Sequence, residues 1–488
     1  MPPNNPFSDA VERFPNRLAL IHPDGELTYR ELYQLGIDSP EIKSRIDHHL
    51  HQDIECILGE HSLAEYAQIF RCFITNKPYF PVNPKFPLER IEKICTAVKQ
   101  FNSASQIDSQ SSALSSLAYI IFTSGSTGEP KGVPITQVQL ANYCAILQGI
   151  LGIQENDRVL QLGDFSFDIS IMAMATAWPN GASLCAVPNA HVLMSPRYAE
   201  DLNITVWLSV PSVISLAAKA GLLKPNSLPN LRIAIFGGEA LTTEVLRTFS
   251  EAAPNARLFN FWGPTEGTIS LSHFEIDRKL LNSTVDEFTI TPIGHPHPGV
   301  ELALWDEDSS EFITEFTAEI GHLCASSTQL TSGYLNRPDL SEAAFFMHQG
   351  KRWYRTGDLA RFDSRLGYRY LGRIDRQIKY KGYRIELPEC ESALRTASHC
   401  KEVCVVPWRD KVGDIDSSPA IKGLVGFIVV LAGIDPNESW LATIEQQLQL
   451  ILPGYMIPNR LIVIDALPLS LNGKIDYKVL EKKASELA

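Results

Sequence analysis

Apolar residues in the first part of the chain come in short runs. Ala118 to Phe122, Arg158 to Leu162, Ala182 to Val187, Val206 to Val210 and Leu231 to Phe236 are rich in aliphatic side chains, and each is closed by glycine, proline or a hydroxyl residue. Runs of that length predict buried strands. Helical patterns lie between them, so the alternation predicts α/β sheets with covered faces. Leu27 to Leu35 predicts a strand passing into a helix, with Thr28 able to cap and Glu31 at the capping-box spacing. Gln106 to Leu117, rich in Ser and Gln, reads as a flexible loop ahead of the first of these strands.

The pattern changes near Asp375. Gly382 to Glu386 leads into a predicted helix from Pro388 to about Thr396. Strand-like runs at Val403 to Pro407 and Leu424 to Leu431 follow, and a helix from about Trp440 to Leu448 precedes the turn at Pro453-Gly454. This predicts a small α+β domain of about a hundred residues, a usual size for an independent unit. The expected division is therefore 1–375 and 376–488, with no internal repeat.

The 488 residues, 44% of them hydrophobic, exceed one ordinary core and agree with two or more domains. A net charge of −13 argues against generic binding to nucleic acid or to an anionic membrane. If such a chain binds a polyanion, the positive charge must be local. Nine cysteines are scattered without a Cys-x-x-Cys pair, and no His/Cys set completes a zinc site. They read as reduced thiols of a cytoplasmic protein. The first residues show neither a basic segment nor an apolar one, so no secretory signal is expected. The apolar run from Gly423 to Gly433 is too short to span a bilayer, and no membrane insertion is expected.

The chemistry concentrates first at Thr123 to Gly132. An apolar strand runs directly into Thr123, Ser124, Gly125, Ser126, Thr127 and Gly128, and Lys131 follows. Glycines let a backbone approach an anion, and successive amides can form a nest around phosphate oxygens. The hydroxyls add donors and Lys131 adds a mobile charge. No Gly-Lys-Ser/Thr occurs, so a P-loop kinase fits poorly. The residues alone imply a nucleotide phosphate.

This segment resembles the phosphate loop of the adenylate-forming superfamily, which includes acyl-CoA synthetases and the adenylation domains of nonribosomal peptide synthetases. The resemblance continues in order along nearly the whole chain. Leu27-Thr-Tyr-Arg-Glu-Leu32 looks like the first motif, and Asn76 to Pro84 with Arg90-Ile91 like a shortened second. Asn260-Phe-Trp-Gly-Pro-Thr-Glu266, Gly333-Tyr-Leu-Asn-Arg-Pro338 and Tyr354-Arg-Thr-Gly-Asp-Leu359 are similar to the fifth, sixth and seventh. Gly372 to Glu386 is similar to the eighth. Leu452 to Pro458 and Asn472-Gly-Lys-Ile-Asp476 close the set. The resemblance implies a large multi-subdomain α/β core with a small mobile α+β C-terminal domain. It also implies ATP and Mg²⁺ as cofactors.

Attack of a carboxylate on the α-phosphorus brings two anions together, so catalysis must come from positioning and charge stabilisation. The resemblance implies that Thr265 contacts phosphate and that Glu266 holds Mg²⁺ between phosphate oxygens. It also implies that Asp358 accepts the ribose hydroxyls and that Arg373 reaches the nucleotide. Gly238, Glu239 and Asn260 would lie at the nucleotide, with Trp262 stacked on adenine where the family usually has Tyr. Lys474 would bridge the substrate carboxylate and the α-phosphate. Read alone, Glu266 is a helix-start acid, Asp358 a turn residue, Arg373 a surface arginine and Lys474 a solvated lysine.

Phe167-Asp-Ile-Ser170 narrows the carboxylate. In amino-acid adenylation domains an aspartate at this place pairs with the substrate ammonium, and a buried carboxylate needs a cation. The bland alternative makes Asp168 a helix N-cap. The resemblance completes the pocket with Ile169, Met172, Leu208, Ile235, Gly237, Phe261, Ile269 and Ser270. These are mostly bulky and apolar, with no acid or base to read a charged side chain. Glycine is the favoured substrate, then D- or L-alanine, since one methyl group is worth only about 1–3 kcal/mol in such a pocket.

Neither a carrier nor a condensation domain flanks this core, so a stand-alone ligase is expected, acting on the phosphopantetheine thiol of a separate carrier protein. The resemblance implies a hinge at Asp375 and room for the pantetheine arm at Gly382. Gln137 stands where the family often has His. Two competing readings are an acyl-CoA ligase of the same fold, which Asp168 opposes, and a non-catalytic ligase-like binding protein, which the intact Thr265, Glu266, Asp358, Arg373 and Lys474 oppose.

Overall fold

The computed structural model describes residues 5–38, 54–101, 116–125, 129–281, 288–313, 319–409, 421–430, 436–469 and 475–487. Of the expected loop from Gln106 to Leu117, residues 106–115 lie outside the described residues and Leu117 already begins a strand; Ser126, Thr127, Gly128 and Lys474 also lie outside them. Contacts divide the chain into two units. The first holds Met1–Pro84, Cys95–Phe122 and Gly132–Gly372, and the second Lys85–Ile94, Thr123–Lys131 and Arg373–Ala488.

The first unit is built on a nine-stranded sheet. Its middle is parallel, in the order Arg257–Trp262, Ile233–Gly237, Val206–Ser209, Arg158–Gln161, Ser183–Ala186 and Leu18–His22. Antiparallel strands Ser272–Glu275 and His295–Pro296 extend one edge, and Gly25–Thr28 the other. Four of the five apolar runs that predict strands form this parallel core, within a residue or two of the expected ends. The fifth is the strand Leu117–Thr123, in a separate four-stranded sheet with Glu55–Leu58, Tyr79–Val82 and Lys131–Thr136.

Helices cover these sheets for the expected reason. The helix Asp168–Ala177 is buried at eight successive positions from Ser170 to Ala177 and packs within one apolar cluster with Tyr143, Leu208, Ile235 and Phe259. Trp178, fully buried beyond its end, donates its indole N–H to the Ala19 carbonyl at 3.0 Å. At the first motif the capping box forms as spaced: Thr28 N donates to Glu31 Oε2 at 2.9 Å and Glu31 N to Thr28 Oγ1 at 3.3 Å. A six-stranded antiparallel sheet spans Val300 to Arg373 and carries its own core of Leu302, Leu304, Leu323 and Tyr354.

In the second unit a three-stranded sheet of Val403–Arg409, Ile421–Val429 and Arg460–Ile464 packs against the helices Leu387–Ser398 and Glu438–Ile451. The apolar run from Gly423 is the central strand of that sheet, buried on both faces. All nine cysteines carry free thiols. Among the described residues no helix is long and apolar enough to cross a membrane.

Candidate active site

Parallel α/β sheets bind ligands beyond the carboxyl ends of their strands, because the loops that leave those ends converge there. In the first unit the register aligns these ends. Leu208 stands opposite Ile235, Ile235 opposite Phe259, and Gly237 opposite Phe261. Met172, Leu208, Ile235, Phe261 and Ile269 fall in one apolar cluster with the buried tyrosines Tyr119 and Tyr143. Ser270 joins it through a 2.7 Å hydrogen bond with the Tyr143 hydroxyl. Gly237 has no room for a side chain, since a Cβ there would lie 2.9 Å from the Phe261 carbonyl oxygen.

Asp168 and Ile169, both half-buried, begin the helix beside this cluster. The N-cap position belongs to Phe167, without a side-chain cap bond, so Asp168 is the first helical residue and not the cap. Its approach is held by Asp164, whose Oδ1 accepts from Ser166 N at 2.8 Å and Ser166 Oγ at 2.6 Å. Asn83 Nδ2 donates to the other Asp164 oxygen. Burial first, and then the negative charge of Asp168, push the phenols of Tyr119 and Tyr143 up. At Tyr143 the Ser270 hydrogen bond opposes the rise more strongly than Asp168 adds to it.

The strand Arg257–Trp262 runs into a tight knot from Gly263 to Ser270. Thr265–Gly267 makes a single 3-10 turn, and Thr268 and Ile269 then take φ values of 57° and 76°. Left-handed backbone is rare for β-branched residues, and two in a row are strained. Ser270 N donates to the Thr268 carbonyl at 2.9 Å, which makes Ile269 the centre of a γ-turn. The surroundings hold the strain in place. Thr268 Oγ1 donates to the Gln329 carbonyl at 2.6 Å, and Thr331 N to the Glu266 carbonyl at 2.8 Å. Gly263 is needed because a Cβ would sit 2.4 Å from the Cα of Ser270. One short segment therefore carries Glu266, bonded to Tyr334, together with Ile269, and both Tyr334 and Ile269 belong to the same apolar cluster.

Glu266 is fully buried, and its Oε1 accepts the Tyr334 hydroxyl at 2.7 Å. It is not a surface acid at a helix start. Asp358 is 5% exposed and lies inside the strand Lys351–Asp363, not in a turn. The pairing with Ile320–Ser327 explains its aim. Leu359 pairs with His322 and Arg355 with Cys324, so the Asp358 strand bulges between them. A bulge redirects side chains. Asp358 Oδ2 accepts the Trp262 indole N–H at 3.1 Å. Asn260 is turned to structure, donating to the carbonyls of Pro292 at 2.9 Å and Thr291 at 3.3 Å. Glu239 Oε2 accepts Ser212 N at 2.8 Å in the first turn of the helix Pro211–Lys219, and Gly238 beside it is left-handed at φ 82°.

The second unit gathers the described part of the phosphate loop with the eighth motif. Ser124 Oγ donates to the Arg384 carbonyl at 2.7 Å, and Lys131 Nζ lies 3.4 Å from Glu386 Oε1. The same Glu386 oxygen accepts Gln377 Nε2 at 2.8 Å. Lys131, expected as a mobile charge, is instead buried and paired. Thr123 Oγ1 reaches its carbonyl only at 3.5 Å, and Gly125 bends so closely that a Cβ would overlap the Glu129 carbonyl. Arg90 and Glu389 form a buried pair at 2.6 Å; burial raises the Glu389 carboxyl while Arg90 opposes it.

Arg373 grips Asp375 through two hydrogen bonds, at 2.8 and 2.6 Å. Burial works against the Asp375 charge, yet Arg373 and the Gln377 amide hold its carboxyl below the usual range. Gly382 follows Lys381 in the two-residue turn between Gln377–Tyr380 and Tyr383–Glu386, with φ values of 81° and 53°. That pair of left-handed residues matches the twist of a tight hairpin.

Against known proteins, the pattern of the AMP-binding enzyme family matches residues 96–335. A D-alanine–D-alanyl carrier protein ligase of Streptococcus pyogenes is 33% identical over 74% of this chain and 70% of its own length. The chain belongs to the AMP-binding enzyme family. The ligase of the same description from Bacillus licheniformis is 29% identical over 96% of this chain and 97% of its own. Among solved structures, the Vibrio cholerae adenylation domain AlmE in complex with glycyl-adenosine-5′-phosphate is 26% identical. It superposes with a TM-score of 0.83 over 99% of this chain and 97% of that one.

As a member of the AMP-binding family the protein is an adenylate-forming ligase that uses ATP. Its mixed α/β fold is that of adenylation domains, as the motif order implies. Several residues that shape the site carried no role in the sequence reading. Tyr334 stands in the sixth motif, but its bond to Glu266 spans 68 positions. Asn83 stands in the second motif without a role of its own, and Tyr143 and Asp164 belong to none of the motifs. No spacing rule connects any of them to the site.

Proposed function

We propose that this ligase activates a small amino acid, glycine first and D- or L-alanine next, and passes it to the phosphopantetheine thiol of a separate carrier protein. A substrate carboxylate oxygen bonds to the α-phosphorus of ATP while the bond to pyrophosphate breaks. The thiol then attacks the acyl carbonyl of the aminoacyl adenylate, its proton is lost, and AMP leaves. The observation that carries the reading is Asp168 as the first residue of a buried helix whose Met172 packs in one apolar cluster with Leu208, Ile235, Phe261 and Ile269. An acid beside an apolar wall suits a ligand with an ammonium group and almost no side chain. The carrier-protein ligases among the relatives and the glycyl adenylate bound by AlmE support it.

In this reading Thr265 contacts phosphate, and the buried Glu266 with its phenol partner suits a hard divalent cation such as Mg²⁺. When bound, the cation neutralises phosphate charge. Asp358 receives the ribose hydroxyls, and Trp262, Gly238 and Glu239 line the base. Lys474 bridges the carboxylate and the α-phosphate. Residues 376–488 act as a mobile domain hinged at Asp375, and Gly382 leaves room for the pantetheine arm.

Lys474→Ala tests the chemical step. Amino-acid-dependent ATP–pyrophosphate exchange should disappear, while thioester transfer from a supplied aminoacyl adenylate should largely survive. Retained exchange in this variant would remove Lys474 from the reaction.

A further inference from the structure

Phe261 is backed by two imidazoles. Its ring centroid lies 5.4 Å from that of His297 and 5.6 Å from that of His273, and the imidazoles are 5.2 Å from each other. The three rings close a triangle. Their interplanar angles of 64°, 35° and 48° are tilted or edge-on, as aromatic rings prefer at this distance. Backbone bonds hold each corner. Phe261 pairs with His273 across the strands Arg257–Trp262 and Ser272–Glu275, and with Gly237 on its other side. His297 follows the strand His295–Pro296; its N–H donates to the Leu271 carbonyl at 2.8 Å and its carbonyl accepts Val300 N at 3.0 Å. Phe261 and His297 are both buried, and His273 is half-buried.

We propose that His297, with His273 beside it, is a positioning residue for substrate selection: the imidazole pair holds the Phe261 ring forward and keeps the pocket too shallow for larger amino acids. The inference rests on the reading of Phe261 as a wall of the amino-acid pocket. In a close-packed interior a ring turns aside only where its neighbours leave room. Here two of those neighbours are the imidazoles, so they set how far Phe261 can withdraw. Removing one of them opens a cavity behind the wall, and surrounding side chains relax partly into such a space. Histidine serves at 297 as a flat spacer and not as a charge, since burial and then His273 push its pKa down to about 3.

The test uses the full-length protein in pyrophosphate exchange. It compares kcat/KM for glycine, both alanines and serine, with the KM for ATP alongside. His297→Ala removes the backing ring. Discrimination against the next larger amino acid (alanine if glycine is the best substrate, serine if alanine is) should fall about tenfold, the weight of one methyl group in an apolar pocket. The KM for ATP should stay where it is. His297→Phe restores a ring without the imidazole nitrogens and should keep the parent's discrimination. His273→Ala, at a half-buried place, should shift it in the same direction as His297→Ala and carries the test if that variant does not fold. Unchanged discrimination in the alanine variants, or equal loss for every amino acid and for ATP, would leave the triangle as core packing and overturn the inference. Phe261→Ala separates the two levels: if it too leaves the substrate range unchanged, the reading of Phe261 as a pocket wall falls instead.

Discussion

The hydroxyl of Tyr334 donates to Glu266 Oε1 at 2.7 Å, joining the sixth motif to the fifth inside the fold. Glu266 is fully buried, so the phenol is part of what makes its carboxylate tolerable there. Removing only the hydroxyl leaves a buried acceptor short of a donor, a cost of about 1.5–3 kcal/mol. Tyr334→Phe should lower kcat roughly tenfold or more and raise the Mg²⁺ concentration needed for half-maximal exchange. A variant with reduced stability but an unchanged Mg²⁺ requirement would leave Tyr334 as a packing residue.

Asp168 heads a helix without capping it, so its removal should cost little helix stability. Its loss should instead appear in the substrate. Asp168→Ala should raise the KM for the amino acid by a hundredfold or so, as expected when a partly buried charge pair worth about 2–5 kcal/mol is broken. The KM for ATP should hardly move. Equal effects on both substrates would assign Asp168 to folding.

The acid limb of stability should report on His297. This side chain is buried, 5.4 Å from the Phe261 ring and 5.2 Å from His273. Burial first, and then His273, push its pKa down from 6.5 to about 3. His273 is also lowered, by burial first, with Glu275 opposing and His295 and Arg257 adding to it. The folded chain thus keeps His297 neutral while the unfolded chain takes up a proton near 6.5. Stability is full above that value and is lost as pH falls from 6.5 towards about 3. His297→Phe should flatten the decline of Tm across this window. An unchanged slope would assign the acid sensitivity to other groups.

Much of the fold was legible because the parallel core is made of apolar runs that tolerate only one environment. Ile233–Gly237 and Val206–Ser209 are examples. The candidate residues Thr265, Glu266 and Asp168 stood out in the sequence through the order of the motifs, since read singly Glu266 and Asp168 look like acids at helix starts. The site was not legible where geometry depends on contacts remote in sequence. Ile269 breaks the rule that β-branched residues avoid left-handed backbone, and only the bonds around Thr268 and Glu266 make that affordable. Asp358 follows a glycine and so reads as a turn, but the bulge that aims it exists only once Ile320–Ser327 pairs beside it. Lys131 reads as a free charge because its partner Glu386 is 255 positions away.

Amino-acid-dependent ATP–pyrophosphate exchange tests the central claim most directly, run with glycine, both alanines, β-alanine, serine, proline, and fatty and aryl acids. Exchange is expected with the smallest amino acids, glycine ahead of the alanines, with little from proline and none from acids that lack an ammonium group. Exchange driven equally by fatty or aryl acids, or by none of these substrates, would contradict the account.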